Sequence, residues 1–239
     1  MIDRSRWNVQ YMQRVLATDP IAYWMMDEKQ GAVSYDMVTA RSNGARNAAY
    51  TGVTLGQPGI GDGRTSALYD GANDFDAIGT ANLIAAFNPN EGSLMCWIRV
   101  FNAGVWTDGA FRTAAILQVN GNNRIILRRT AANNTFAFLY VAGAVASARD
   151  VGGLVTTGWL SALLTWSVAA DEVIAYLNGG QQGAILNGLG VWVGALVAGT
   201  TCIGAANIAP ANVWNGWLAH GAVWDYALPP AEARAMGVL

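Results

Sequence analysis

The chain has 239 residues, of which 53% are hydrophobic and only 13% charged, about half the charged share of an ordinary soluble domain. Its 14 Lys and Arg against 16 Asp and Glu leave a net charge of −2, so no basic field is present to hold nucleic acid, and ten Trp, eight Tyr and six Phe exclude a disordered chain. A surface this poor in charge is expected to be partly covered by other subunits; thirteen Arg beside the single Lys29 agree with that, since interfaces favour Arg, although GC-rich coding leaves the same mark.

In chain order, the start from Met1 to Trp7 leads into a polar segment without the apolar run of a secretory signal, and assembly in a cytoplasm is expected. Residues 6–17 (RWNVQYMQRVLA) carry Trp7, Tyr11, Arg14 and Val15 at helical spacing, with Met12 and Leu16 on the flank, and stop before Thr18-Asp19-Pro20. The spacing predicts a short helix within an arm, residues 1–19, preceding a domain over 20–239. A helix of about a dozen residues is marginal alone, so Trp7, Tyr11, Val15 and Leu16 need a surface, either the chain's own or a partner's.

From Ile21 the grain is that of strands: short runs rich in Val, Ile, Leu, Trp, Tyr and Thr, punctuated by Asn-Gly, Asp-Gly and Gly-Gly. Strands are expected at 21–26, 46–51, 66–70, 75–79, 92–101, 113–119, 124–130, 135–141, 145–149, 158–168, 172–178, 181–186, 200–205 and 214–226. Hairpin turns fall at Asn120-Gly121-Asn122-Asn123 and Asn178-Gly179-Gly180. Further helices are expected at 80–87 and 229–236, the latter opened by Pro229-Pro230 and closed by Gly237. GQPGIGDGR, 56–64, reads as a surface loop. LNGLGVWVGALVAG, 186–199, reads as a loop too apolar to stand in water unless it folds inward or meets a partner. The most apolar windows, 159–170 and 185–198, are short and broken by polar residues or Gly, so no membrane insertion is expected. Cys96 and Cys202 are expected as buried reduced thiols. Many short strands with tight turns make the fold class all-β, a two-sheet antiparallel sandwich.

The ordered features Ala22-Tyr23-Trp24, Asp27-Glu28, Asp36, Gly56-Gln57-Pro58-Gly59, Ala67-Leu68-Tyr69-Asp70-Gly71, Asn73-Asp74-Phe75, Trp97, Trp159 to Trp166, Tyr176-Leu177-Asn178-Gly179, Ile203-Gly204 and Trp214-Asn215-Gly216-Trp217 through Pro229 resemble a laminin-G-like, concanavalin A-like jelly roll from about residue 20 to 239. In particular they resemble the stand-alone, signal-less members encoded in phage and prophage structural regions. The resemblance implies a jelly-roll sandwich that binds glycans or protein partners and often holds Ca²⁺. It further implies a virion component, a capsid decoration or tail-associated subunit assembled in the host cytoplasm. Other virion proteins, cell-surface glycans and further copies of the chain are the implied partners. A carbohydrate-binding adhesion module is the competing reading and a glycoside hydrolase a remote one.

The chemistry can be tested by counting. Glycoside hydrolysis uses two facing carboxyl groups, and the E-x-D-x-x-E strand of the glucanase branch is missing; the glutamates are Glu28, Glu91, Glu172 and Glu232, none close to another in sequence. A pair drawn from distant strands stays open. His220, the one histidine, reads as structural. Asp70, Asn73 and Asp74, with Asp36, are candidate Ca²⁺ ligands; the alternative is that Asp70-Gly71 and Asn73-Asp74 are turn residues bonding local amides. In that second reading Tyr69, Phe75 and Ala77 turn inward while Asp74 and Asp76 face water. Trp106, Trp192 and Trp214 adjoin loop signals and are candidates for glycan stacking or partner contact, against Trp24, Trp97, Trp166 and Trp224 in the core. Trp7, Tyr11, Val191 and Trp192 are candidate assembly contacts.

Overall fold

The expected alternation yields sixteen strands in the computed structural model, which describes residues 7–38 and 44–239. The first six residues of the expected arm lie outside the described residues, as does the Trp7 side chain. In chain order the strands are β1 (Ala22–Trp24), β2 (Val33–Ser34), β3 (Ala48–Thr51), β4 (Thr54–Pro58), β5 (Thr65–Asp70), β6 (Phe75–Ala77), β7 (Glu91–Val100) and β8 (Arg112–Asn120). There follow β9 (Asn123–Arg129), β10 (Phe136–Ala142), β11 (Val145–Val151), β12 (Leu160–Ser167), β13 (Glu172–Leu177), β14 (Gly180–Gln181), β15 (Cys202–Ile203) and β16 (Asn215–Trp224). The helices are α1 (Trp7–Ala17), α2 (Ala81–Ala86) and α3 (Pro230–Ala235). No helix among the described residues is long and apolar enough to cross a membrane.

Two antiparallel sheets stack as a sandwich. The first runs β14-β13-β12-β7-β16-β5-β4 and the second β11-β10-β9-β8-β15-β6-β3-β2. Within the first, β16 serves two neighbours on one edge: its first half pairs with β5 and its second half with β1. A bulge at His220-Gly221 separates the halves, with His220 at φ +52°. The extra residue shifts the alternation, so Trp217 and Ala219 share the outer face with Ala222 and Trp224. Between the sheets lies a core built on Trp24, Trp106, Trp166, Trp214, Phe136 and Phe138.

The outer face of the first sheet is apolar along part of its length, where Met95, Trp97, Leu163, Ala219, Ala222 and Trp224 project. Tyr11 and Val15 of α1 cover it together with Ala233 and Met236 at the C-terminal end. Tyr11 is locked there: its hydroxyl donates to the Met236 carbonyl at 2.8 Å and accepts from Trp97 Nε1 at 2.6 Å. Arg14 Nη1 donates to the carbonyls of Ala235 and Val238. The surface α1 needs is thus the chain's own, which corrects the expectation that Tyr11 is an assembly contact.

Other expectations also change. Residues 56–58 belong to strand β4 rather than to a loop; as an edge strand pairing only with β5, it tolerates Pro58 and the irregular register around Gly56 (φ +72°). The strand expected at 181–186 shrinks to β14. The 186–199 segment folds inward at one end of the sandwich: Trp192 and Leu196 are buried in the inter-sheet core, while Val191 (75% exposed) and Val193 point outward. Both cysteines are buried free thiols.

Candidate functional site

The turn between β5 and β6 contains the predicted oxygen ligands. Asp70 Oδ1 accepts from the N–H groups of Ala72 (2.8 Å) and Asn73 (3.3 Å), and Asp74 Oδ2 accepts from the Asp70 N–H (2.8 Å). Burial raises the Asp74 carboxyl above the usual range, and a Cβ at Gly52 would run into its Oδ1. Asn73 is exposed. Asp36 works elsewhere: buried, its Oδ1 takes the N–H groups of Tyr23 and Val38, both at 3.0 Å, beside its bridge to Trp24. Among the described residues no three His, Cys, Asp or Glu side chains gather to hold a metal ion. Asp36, Asp70, Asn73 and Asp74 therefore do not fit a Ca²⁺ site: Asp70 Oδ1 and Asp74 Oδ2 are already shared with backbone N–H groups, and Asp36 is spent on Tyr23 and Val38, away from the turn.

Asp76 reverses its expected orientation. It is the register partner of Tyr50 and of Ile203, so it faces the sandwich interior, while Phe75 and Ala77 are only partly covered. Burial pushes its carboxyl up to about 8, against a smaller lowering by Ser34.

The three tryptophans expected at a contact surface are buried, Trp106 at 1%, Trp192 at 8% and Trp214 at 0% exposure. Each indole N–H is spent inside: on Thr156 O at 2.7 Å, on Gly194 O at 3.0 Å and on Arg99 O at 3.3 Å respectively. None can stack on a ligand. The exposed aromatics among the described residues are Tyr35, Phe101 and Phe111, and Phe101 rests on the half-buried Trp217. Phe101, just past β7 and 52% exposed, stacks on Trp217 with centroids 5.6 Å apart and planes at 16°. Trp217 is the register partner of both Leu68 and Arg99 on the neighbouring strands, and the Arg99 guanidinium lies 4.5 Å from its ring centroid. Arg99 is held by Nε donating to Thr157 O at 2.8 Å.

Beside this stack opens a cleft of about 410 Å³, lined by Leu68, Tyr69, Asp70, Phe101, Asn102 and Asn215. Gly71 (φ +81°) shapes its rim; a Cβ there would sit 2.9 Å from both Asn215 Cβ and Arg112 Nη1. Asp70 uses only Oδ1 in the turn, and the side-chain amides of Asn102 and Asn215 enter no hydrogen bond among the described residues. An aromatic face beside one carboxylate and two amides offers apolar stacking together with donors and acceptors for hydroxyl groups. Of this group the sequence marks only Asp70 as a candidate ligand, while Leu68, Tyr69, Asn215 and Trp217 enter there only as carriers of the resemblance. Phe101 ends a strand and Trp217 lies within an alternating run, and the bulge that fixes the outer face of that run leaves no local signal apart from Gly221.

A second polar group lies under α1. Tyr23 OH meets His220 Nδ1 at 2.6 Å, and His220 Nε2 lies 3.2 Å from Asp62 Oδ2, with Tyr11 edge-on at 4.9 Å. The order acid, imidazole, hydroxyl resembles a catalytic relay, yet all three residues are buried. Desolvation raises the Tyr23 hydroxyl far above its usual range, the opposite of an activated nucleophile. Burial also works to raise Asp62, but the His220 hydrogen bond and charge, with backbone donors, hold it below the usual carboxylate range. The network ties β1, the bulge and the 61–62 loop together.

A family model described as the concanavalin A-like lectin/glucanases superfamily matches residues 70–234. Similar solved structures include the botulinum neurotoxin serotype D binding domain, with TM-score 0.63 and 12% identity over 91% of this chain and 51% of that one. The Trypanosoma rangeli sialidase in complex with the inhibitor DANA gives TM-score 0.63 and 12% identity over 91% and 32%. Domain 4 of AbnA, a GH43 extracellular arabinanase from Geobacillus stearothermophilus, in complex with arabinotriose, gives TM-score 0.59 and 15% identity over 91% and 98%. The chain thus spans about half of the first and a third of the second, and at these identities the likeness is one of fold. No curated protein sequence matches the chain. The family match takes in well over half of the residues and the two-sheet sandwich is the family's fold, so the chain belongs to the concanavalin A-like lectin/glucanases superfamily.

Proposed function

We propose that the chain is a non-catalytic binding module that holds carbohydrate in the cleft between Asp70, Asn102 and Asn215, with the Phe101–Trp217 stack as its platform. The observation that carries this reading is the exposed ring of Phe101, backed by the half-buried Trp217 at a cleft whose two side-chain amides have no partner among the described residues, the pairing of an apolar face with a few polar groups that marks a ligand site. Sugar rings put C–H faces on aromatics and hydroxyls on Asp and Asn side chains. The arabinotriose bound to the structurally similar domain 4 supports the class of ligand. A glycan array followed by calorimetry tests it: one glycan is retained, Phe101→Ala weakens it by about tenfold or more, and no reducing sugar is released on incubation. Retention of nothing, or full binding by Phe101→Ala, overturns the reading.

A finer reading places this module on a virus particle, and it is supported by the sequence resemblance described above. Mass spectrometry of purified particles tests it, with absence of the polypeptide counting against it.

A further inference from the structure

At the other end of the first sheet is a site that the carbohydrate reading does not use. Glu91 on β7 and Glu172 on β13 are both register partners of Ser167 on β12. The three form one cross-strand row on the outer face, with the glutamate Cα atoms about 10 Å apart, two strand spacings. The adjacent row is Ser93, Thr165 and Ile174. Over these rows runs the 227–230 segment that leads into α3, and between them lies a cleft of about 220 Å³ walled by Ile174, Pro229 and Pro230. The wall is fixed: Ser93 Oγ donates to Tyr226 O at 3.0 Å and accepts from the Leu228 N–H at 2.9 Å, while Glu91 Oε1 meets the Ala227 N–H at 3.5 Å.

Three observations point to a ligand. Neither Glu91 nor Glu172 takes part in an ion pair among the described residues, and no basic side chain lines the cleft. Thr165 lines the cleft floor at 3% exposure, and its hydroxyl enters no hydrogen bond among the described residues. The walls are apolar. Two half-buried carboxylates without a counter-ion favour a cation. The spacing and walls select its kind. A hard divalent metal wants six or more oxygens, and no third carboxylate, His or Cys joins the pair. A guanidinium is planar, weakly hydrated and able to bond carboxylates on both edges while its faces rest on apolar surface.

We propose that the Glu91–Glu172 cleft takes a guanidinium group, the side chain of an arginine on a partner polypeptide, and so docks this module to protein at the end of the sheet opposite its carbohydrate cleft. β7 connects the two sites, running from Glu91 at one to Val100, next to Phe101, at the other, so one partner can be held while the other end stays free.

The test is an amide-shift titration of the full chain with N-acetyl-L-arginine amide and, as neutral isostere, the corresponding citrulline amide. Saturable shifts at Ser167, Glu172 and Ala227 are expected with the arginine compound, about tenfold weaker with citrulline and lost in Glu91→Gln/Glu172→Gln, whose remaining spectrum stays unchanged. Equal shifts with citrulline overturn the proposal. So do shifts that persist in the double variant, or shifts at these amides with CaCl₂ but not with the arginine compound. Carbohydrate binding is unaffected by the double variant, so the two sites fail or stand separately.

Discussion

Asp76 illustrates how a single inward-facing residue sets a property of the whole chain. Its carboxyl titrates near 8 when folded because burial penalises the charge, against about 3.9 in the unfolded chain. The folded state therefore keeps a proton that the unfolded state releases. The stability associated with Asp76 is full below pH 4, falls by up to about 1.4 kcal/mol per pH unit as pH rises towards 8, and is flat above. Asp62, held below the usual range by His220, acts in the opposite sense and only at lower pH, losing its contribution as pH falls through its folded value. Urea unfolding from pH 5 to 9 is expected to show a decline that Asp76→Asn removes, with the variant gaining most at pH 8; an unchanged slope would place the titration elsewhere. At the β5–β6 turn, the sharing of Asp70 Oδ1 and Asp74 Oδ2 with backbone amides, and the lack among the described residues of a third carboxylate beside them, predict that the melting temperature differs by less than about 1 °C between millimolar Ca²⁺ and EDTA, since a ligand of the native state alone must raise it. Residue type was legible here and orientation was not. The run Asp74-Phe75-Asp76-Ala77 alternates, as a strand should, but the pattern invites the apolar pair inward, and only pairing with Tyr50 and Ile203 reveals the reverse. The burial of Trp106, Trp192 and Trp214 is hidden in the sequence for the same reason, because a Gly or Asn nearby marks a loop without saying which side of it faces the core.

Elements with strong local chemistry are legible in the sequence. The Asn120 turn ends β8 and opens β9 at Asn123 as expected, because residues tolerant of tight-turn geometry admit few alternatives. The 229–236 helix appears as Pro230–Ala235. Edge elements were read less well: β4 looks like a loop because Gly56 and Pro58 break a strand pattern that only an edge tolerates. α1 was legible as a helix, while its destination depended on a sheet face assembled from residues far away in sequence. That face makes its own prediction. Tyr11→Phe removes the acceptor of the Trp97 indole N–H and the donor to Met236 O, leaving two buried groups unpartnered at a cost of about 2–4 kcal/mol. A urea midpoint within error of the wild type would mean that water or a shifted side chain replaces the hydroxyl.

The whole molecule is more than its family match. Residues 70–234 include both long central strands, β7 and β16, and most of the second sheet, so a fragment with those bounds looks self-sufficient in sequence. Three-dimensional pairing argues otherwise. β1 completes the edge of β16 beyond the bulge, and β3 with β2 closes the second sheet beyond β6. Ile21, Trp24, Met26 and Tyr50 supply part of the inter-sheet core, and each fully buried large side chain is worth about 1.5–3 kcal/mol. Removing these four alone forfeits a sum comparable to the 5–15 kcal/mol by which a typical domain is stable. It also bares the second half of β16 and the interior face around Asp76, strand edges and apolar surface that invite aggregation. The fragment 70–234 is therefore expected to be unfolded or aggregated. The full chain, by contrast, gives a single cooperative transition in which the near-ultraviolet signal of the buried tryptophans is lost together with the strand signal. Dispersed amide spectra from a monomeric 70–234 fragment would show instead that the family core stands alone and that residues before 70 are an addition to a finished fold.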